Sequence, residues 1–132
     1  MPAKDPSLTI QQAADQLAVT PDTLRFYEKQ GLLLRSCRTA SGHRRYQSND
    51  MEWLRFILCL KSTGMSLDII RQYRDLLLQG EHTTEQRQHI LVQHQQDIRQ
   101  QLTTLRTNLK RIDQKIAYYD ALSRGESIDC GS

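Results

Sequence analysis

Cysteine, aromatic residues and long apolar runs are all scarce in this chain of 132 residues. Three cysteines, an odd number with no paired spacing, argue against a disulfide framework. No apolar run approaches the ~20 residues that a membrane-spanning helix needs, and no secretory signal is visible. A cytoplasmic protein without a membrane partner is expected. Nucleophile–base spacings and phosphate-binding loops are also missing, so an enzyme is the least favoured class, and no cofactor is expected. Aromatics make up 6% and hydrophobic residues 38%, enough for a modest core. The length suits one compact domain, or a small domain with an appendage.

Charge is present with a marked bias in position. The net charge of +3 is mild. Residues 25–45 nevertheless hold six basic side chains (Arg25, Lys29, Arg35, Arg38, Arg44, Arg45) against one acid, Glu28. From residue 81 onward the count is seven basic and seven acidic. The positive field therefore lies on the N-terminal third, as expected where phosphates are met.

Local signals predict a series of helices. Thr9 with Gln12 fits a capping box that opens a helix to about Leu17, with Ala13, Ala14 and Leu17 inward. Thr20 is a second cap, and Pro21 takes the first helical position. That helix runs to Gln30 and stops at Gly31. The intervening Ala18-Val19-Thr20 has helix-turn-helix spacing. Residues 34–47 lack helical periodicity and suit a short hairpin, or wing, turning at Ser41-Gly42. Ser48 is read as the cap of a third helix, about 49–63, with Trp53, Leu54, Ile57, Leu58 and Leu60 on one arc and Gly64 at its end. Ser66 caps a fourth, about 67–78, with Ile69, Ile70, Tyr73, Leu76 and Leu77 inward. Gly80 closes it.

From about Thr84 to Asp120 there is neither glycine nor proline. Leu91, Ile98, Leu102, Leu105, Leu109, Ile112, Ile116 and Tyr119 recur at the four–three steps of a coiled-coil seam, with Gln95 in the slot between the first two. So narrow a stripe implies a second chain. The expected fold class is mainly α: a winged helix-turn-helix DNA-binding head over 8–80, a coiled-coil dimerisation helix over 81–122 and a flexible tail over 123–132.

The second helix presents Thr23, Arg25, Phe26, Tyr27 and Lys29 as DNA-reading candidates. Arg25 is able to donate two hydrogen bonds to a guanine edge or clamp a phosphate, and Tyr27 offers a hydroxyl to phosphate. Phosphate contacts would dominate affinity and make it fall with salt. In the wing, His43, Arg44, Arg45 and Tyr46 are too basic for an ordinary turn. Alternation puts Arg44 and Tyr46 on one side and Arg45 on the other. One set should face DNA while the other braces the head, and Tyr46 is equally suited to plugging the core.

The strings LTIQQAADQLAVTPDTLRFYEKQGLL, GHRRYQSNDMEWLRFI and GMSLDII resemble the MerR family of transcriptional regulators. The match covers residues 8–78 densely and 84–120 by architecture. The resemblance implies a homodimer held by an antiparallel coiled coil. It also implies promoters with an over-long spacer, bent and untwisted so that RNA polymerase engages both elements. By motif position the DNA-contact role carries over to Arg25, Tyr27, His43, Arg44 and Tyr46.

Members resembling metal sensors carry cysteines at the start of the long helix and just after it. This chain has none between 60 and 129. His82, His89 and His94 are spaced by seven and five, which does not bring them to one helical face, so no metal site is expected. Cys59 falls opposite the Trp53/Leu54/Ile57 arc, on a face with Glu52, Arg55 and Ser62. Arg55, one turn earlier, would favour a thiolate and Glu52 would oppose it. The segment WLRFILCLKSTGMSL resembles the MerR subgroup that responds to aldehydes and reactive nitrogen or oxygen species, which implies a sensor role for Cys59. A small residue packed at an interface is the plainer reading of the same position. Cys37 fits a wing strand. Two alternatives stay open: a regulator switched by a non-covalent small ligand, and a helical adaptor that binds protein rather than DNA.

Overall fold

A computed structural model describes residues 7–34 and 44–125. The elements are α1 (Ile10–Leu17), α2 (Pro21–Lys29), α3 (Ser48–Ser62), α4 (Leu67–Gln79), a one-turn 3-10 helix (Glu81–Thr83) and α5 (Thr84–Ser123). The expected wing turn, with Cys37 and His43, lies outside the described residues, as does Cys130.

The helix limits follow from their caps. Thr9 Oγ1 accepts from the Gln12 N–H at 3.2 Å, and the Thr9 N–H donates to Gln12 Oε1 at 3.0 Å. Thr20 Oγ1 accepts from the Thr23 N–H ahead of Pro21. At the end of α2 the Gly31 N–H reaches the Glu28 carbonyl and the Leu32 N–H reaches the Tyr27 carbonyl, both at 3.0 Å. This paired closure needs a left-handed residue, and Gly31 supplies it at φ +74°. The turn between α1 and α2 does the same with Ala18 at φ 57°, where a Cβ is strained. Two expectations are corrected. Ser48 is already inside α3, because Asp50 Oδ2 accepts from the Gln47 N–H at 2.9 Å and Gln47 holds the cap position. Ile69 is 40% exposed, because its neighbour Ile70 takes the inward direction of α4 and is fully buried.

Two compact units divide the chain, Met1–Leu91 and Val92–Ser132. In the first, Ala13, Ala14, Leu24, Leu32, Leu54, Ile57 and Ile70 form the centre of the core. The Trp53 Nε1–H donates to the buried Leu32 carbonyl at 2.7 Å, and its ring stacks on Tyr73 at 5.8 Å. An antiparallel bridge joins Leu8 to Tyr46 through bonds of 2.7 and 2.8 Å. Ile90 and Leu91 pack partly against this core, so the first turns of α5 belong to the head.

The second unit is built on the remainder of α5, a helix of 40 residues in all and about 60 Å long. Leu105, Leu109, Ile112, Ile116 and Tyr119 are 56–64% exposed along it, and Leu102 is 44% exposed. Ile98 is half-buried.

Candidate nucleic-acid interface

The recognition helix α2 has two faces of different chemistry. Leu24 and Tyr27 are buried, whereas Arg25, Phe26 and Lys29 are exposed and Thr23 is half-buried. Arg25 Nη1 lies 2.8 Å from Asp22 Oδ1, with both side chains mostly in solvent. Such a pair is worth little and is easily given up to a phosphate or a base. Phe26 is 47% exposed, an apolar ring on a polar face.

The structure places Tyr27 and Tyr46 in the core. Tyr46 is 1% exposed, so it takes the plug role that its sequence position left open. Burial raises the pKa of both phenols above the ordinary 10.0. At Tyr46 burial is the main cause; Arg44 and Arg25 pull the other way, while Glu28 and Asp50 add to the rise. Both hydroxyls therefore stay protonated at neutral pH and remain donors.

Of the wing stem, residues 44–47 are described. Arg44 turns inward with Tyr46: its Nε is 3.2 Å from Glu28 Oε1, its side chain is 8% exposed, and its guanidinium lies 5.9 Å from the Tyr46 ring centre. Arg45 points the other way and is tied to Ser7, donating from Nε to Oγ at 3.1 Å and from Nη2 to the carbonyl at 2.8 Å. Glu28, the lone acid of the basic segment, thus fastens the wing stem to the recognition helix.

Sequence reasoning missed two arginines of α4. Arg71 Nε donates to the Gln30 carbonyl at 2.9 Å. Arg74 donates from Nε to the Leu33 carbonyl at 2.8 Å and from Nη2 to the Leu34 carbonyl at 3.3 Å. Their spacing beside Tyr73 on the inward side of an amphipathic helix was the available signal. Their targets, backbone carbonyls some forty residues away, leave no mark on local sequence.

Cys59 is exposed on the outer side of α3, as are Glu52, Arg55 and Ser62. Its carbonyl accepts from Ser62 Oγ at 2.9 Å and from Thr63 Oγ1 at 2.8 Å. His82 and His89 are exposed and His94 is half-buried. Among the described residues no three metal-binding side chains gather, and no helix is long and apolar enough to cross a membrane.

A capped helix-turn-helix with a basic outward face defines a DNA-binding regulator. Residues 8–77 match the family model described as MerR HTH family regulatory protein, and residues 51–115 match the one described as MerR, DNA binding. The chain belongs to the MerR family of helix-turn-helix transcriptional regulators, whose members are regulators and not enzymes. An uncharacterised HTH-type transcriptional regulator of Haemophilus influenzae is 34% identical over 111 residues, covering 84% of this chain and 82% of that one. The HTH-type transcriptional regulator AdhR of Bacillus subtilis is 37% identical over 89 residues, 67% of this chain and 64% of its own length. The solved structure of HiNmlR, described as a MerR family regulator lacking the sensor domain and bound to promoter DNA, has 33% identity and a TM-score of 0.83. It covers 92% of this chain and 97% of that one.

Proposed function

We propose that two copies of this regulator pair through α5 in an antiparallel coiled coil and set two heads on one promoter. The pairing residues are Leu102, Leu105, Leu109, Ile112, Ile116 and Tyr119, with Ile98 at the seam's start and Leu91 shared with the head. The observation that carries this reading is their exposure: five side chains on one helical stripe are each more than half in solvent. An isolated apolar stripe of this kind is stable only against a partner.

On DNA, Thr23, Arg25, Phe26 and Lys29 read or grip from α2. His43 and Arg45 serve the wing, and Tyr27, Arg44 and Tyr46 hold these elements in place from behind. The dimer bends and untwists a promoter whose spacer is over-long, so that RNA polymerase engages both elements. Its work is in the cytoplasm.

Reactive aldehydes or related electrophiles switch it through Cys59. The support is the exposure of the residue, Arg55 one turn away, and the likeness of residues 53–67 to the aldehyde-responsive subgroup. Cys59→Ser should keep promoter binding and lose the transcriptional response to formaldehyde. An unaltered response in that variant refutes the sensing role. A cavity of about 260 Å³ lined by Gln16, Met51, Glu52 and Arg55 favours a second reading, a small non-covalent ligand. Thiol alkylation separates the two, since it leaves a non-covalent response intact.

A further inference from the structure

The start of α5 and the end of the recognition helix are connected through α4, by hydrogen bonds from its middle and at its C-terminal end. Thr83 is the buried polar side chain of the described core, at 1% exposure. Its Oγ1 lies 2.7 Å from the Leu76 carbonyl and 2.8 Å from the Gly80 carbonyl. The Leu76 carbonyl belongs to the last turn of α4, and the Gly80 carbonyl, at its cap, also accepts the Thr83 N–H at 3.1 Å. The same oxygen accepts from Arg87 Nε, on the first turns of α5, at 3.0 Å. A buried hydroxyl that both donates and accepts is fixed in place, because losing either partner leaves a desolvated polar group.

From the middle of α4, Arg71 and Arg74 grip the Gln30, Leu33 and Leu34 carbonyls. These lie where α2 stops and the wing begins. The acceptors are backbone groups, so the bonds fix position whatever side chains the segment carries. Asp68 Oδ1 and Asp75 Oδ1 hold the outer nitrogens at 2.8 and 3.1 Å, which orients both guanidinium groups. Both sets of bonds involve one helix of 13 residues, the first set closing its C-terminal end and the second leaving its middle. The helix is held in the core by the burial of Ile70 and the stacking of Tyr73 on Trp53.

We infer that Thr83, Arg71 and Arg74 are positioning residues of a strut that passes a displacement of the first turns of α5 to the end of the recognition helix and the wing stem. The mechanical claim stands on the head alone. Its consequence on DNA rests on the function proposed above.

Amide hydrogen exchange on the full chain tests the strut without DNA. The amides of Gly31 and Leu32 are hydrogen-bonded within the gripped segment. Thr83→Val removes the hydroxyl at nearly constant volume and should speed their exchange by about tenfold or more, with α1 unchanged. Thr83→Ser should restore the parent rates. Coupling is reciprocal, so Arg74→Gln should speed exchange at the Gly80 and Thr83 amides. That variant also serves if Thr83→Val fails to fold. Changes confined to the neighbourhood of each substitution, or an equal rise throughout the head, overturn the strut.

A duplex selected from random sequence by the parent chain gives the second arm. Independent sites would multiply their losses of affinity to within about twofold. In a strut the Thr83→Val/Arg74→Gln double variant should bind no more weakly than the worse single one. Multiplying losses overturn the inference on DNA. If the parent selects no duplex, the proposed function fails, and the exchange rates still decide the strut.

Discussion

The head and the long helix spend their apolar residues in opposite ways. In the head, Leu24, Leu54, Ile57 and Ile70 reach zero exposure around a stacked Trp53–Tyr73 pair. Along α5, residues of the same types stand 56–64% in solvent. Both patterns follow the helical period, so periodicity alone does not separate them. The width of the stripe does. An arc broad enough to meet neighbours from several elements closes into a core within one chain, whereas a seam one or two residues wide fits one other helix. Folding of the head is therefore a property of the chain, and under the pairing proposed above completion of α5 is a property of two chains.

Charging the seam gives the largest separation of the two regions. Leu105→Asp with Ile112→Asp should yield single chains whose head unfolds normally. Promoter affinity should drop by about 10²–10⁴-fold, the typical loss when two linked heads become one. Sedimentation and a fluorescence anisotropy titration read the two effects. Ile57→Ala does the reverse: it should cost about 2–5 kcal/mol of head stability in denaturant, by a similar amount at all protein concentrations. Leu109→Ala, the same kind of truncation on α5, should act through a concentration-dependent midpoint. Arg25→Ala should lower promoter affinity by ~1–3 kcal/mol with the melting temperature unchanged. Equal binding by variant and parent removes Arg25 from the interface.

Smaller effects sharpen the picture of the head. Ala18→Gly should stabilise it by about 0.5–1 kcal/mol, since the left-handed turn strains any Cβ. The two buried phenols set an alkaline limit. Their folded pKa values are raised, so the folded state holds these protons more tightly than the unfolded one. Their contribution is complete below the ordinary pKa of 10.0 and is lost as pH rises through the folded values. Thermal stability should fall above that pH, and Tyr27→Phe or Tyr46→Phe should flatten the fall. An unchanged alkaline slope in both variants contradicts the assignment.

The sequence made the helix limits legible because caps act over three or four residues. Thr9 with Gln12, Thr20 with Pro21, and Gly31 all occupy the roles their spacing predicts. The alternation of Arg44, Arg45 and Tyr46 was legible as well, but not which side turned inward. Glu28 decides that, sixteen positions upstream, by receiving Arg44 at 3.2 Å. The outward position of Cys59 followed from counting 100° per residue. The grip of Arg71 and Arg74 on α2 did not, because the partners are carbonyls that every residue carries. Ile69 and Ser48 show the same limit at single positions: composition placed each near a helix role, and neighbours with better geometry took it.

The number of chains in the working particle bears most directly on the function proposed for this regulator. Sedimentation equilibrium at micromolar concentration, alone and with a selected duplex, should give the mass of two chains, retained on the DNA. One chain per particle, both free and on the duplex, would contradict the pairing of exposed stripes on which the two-headed grip depends.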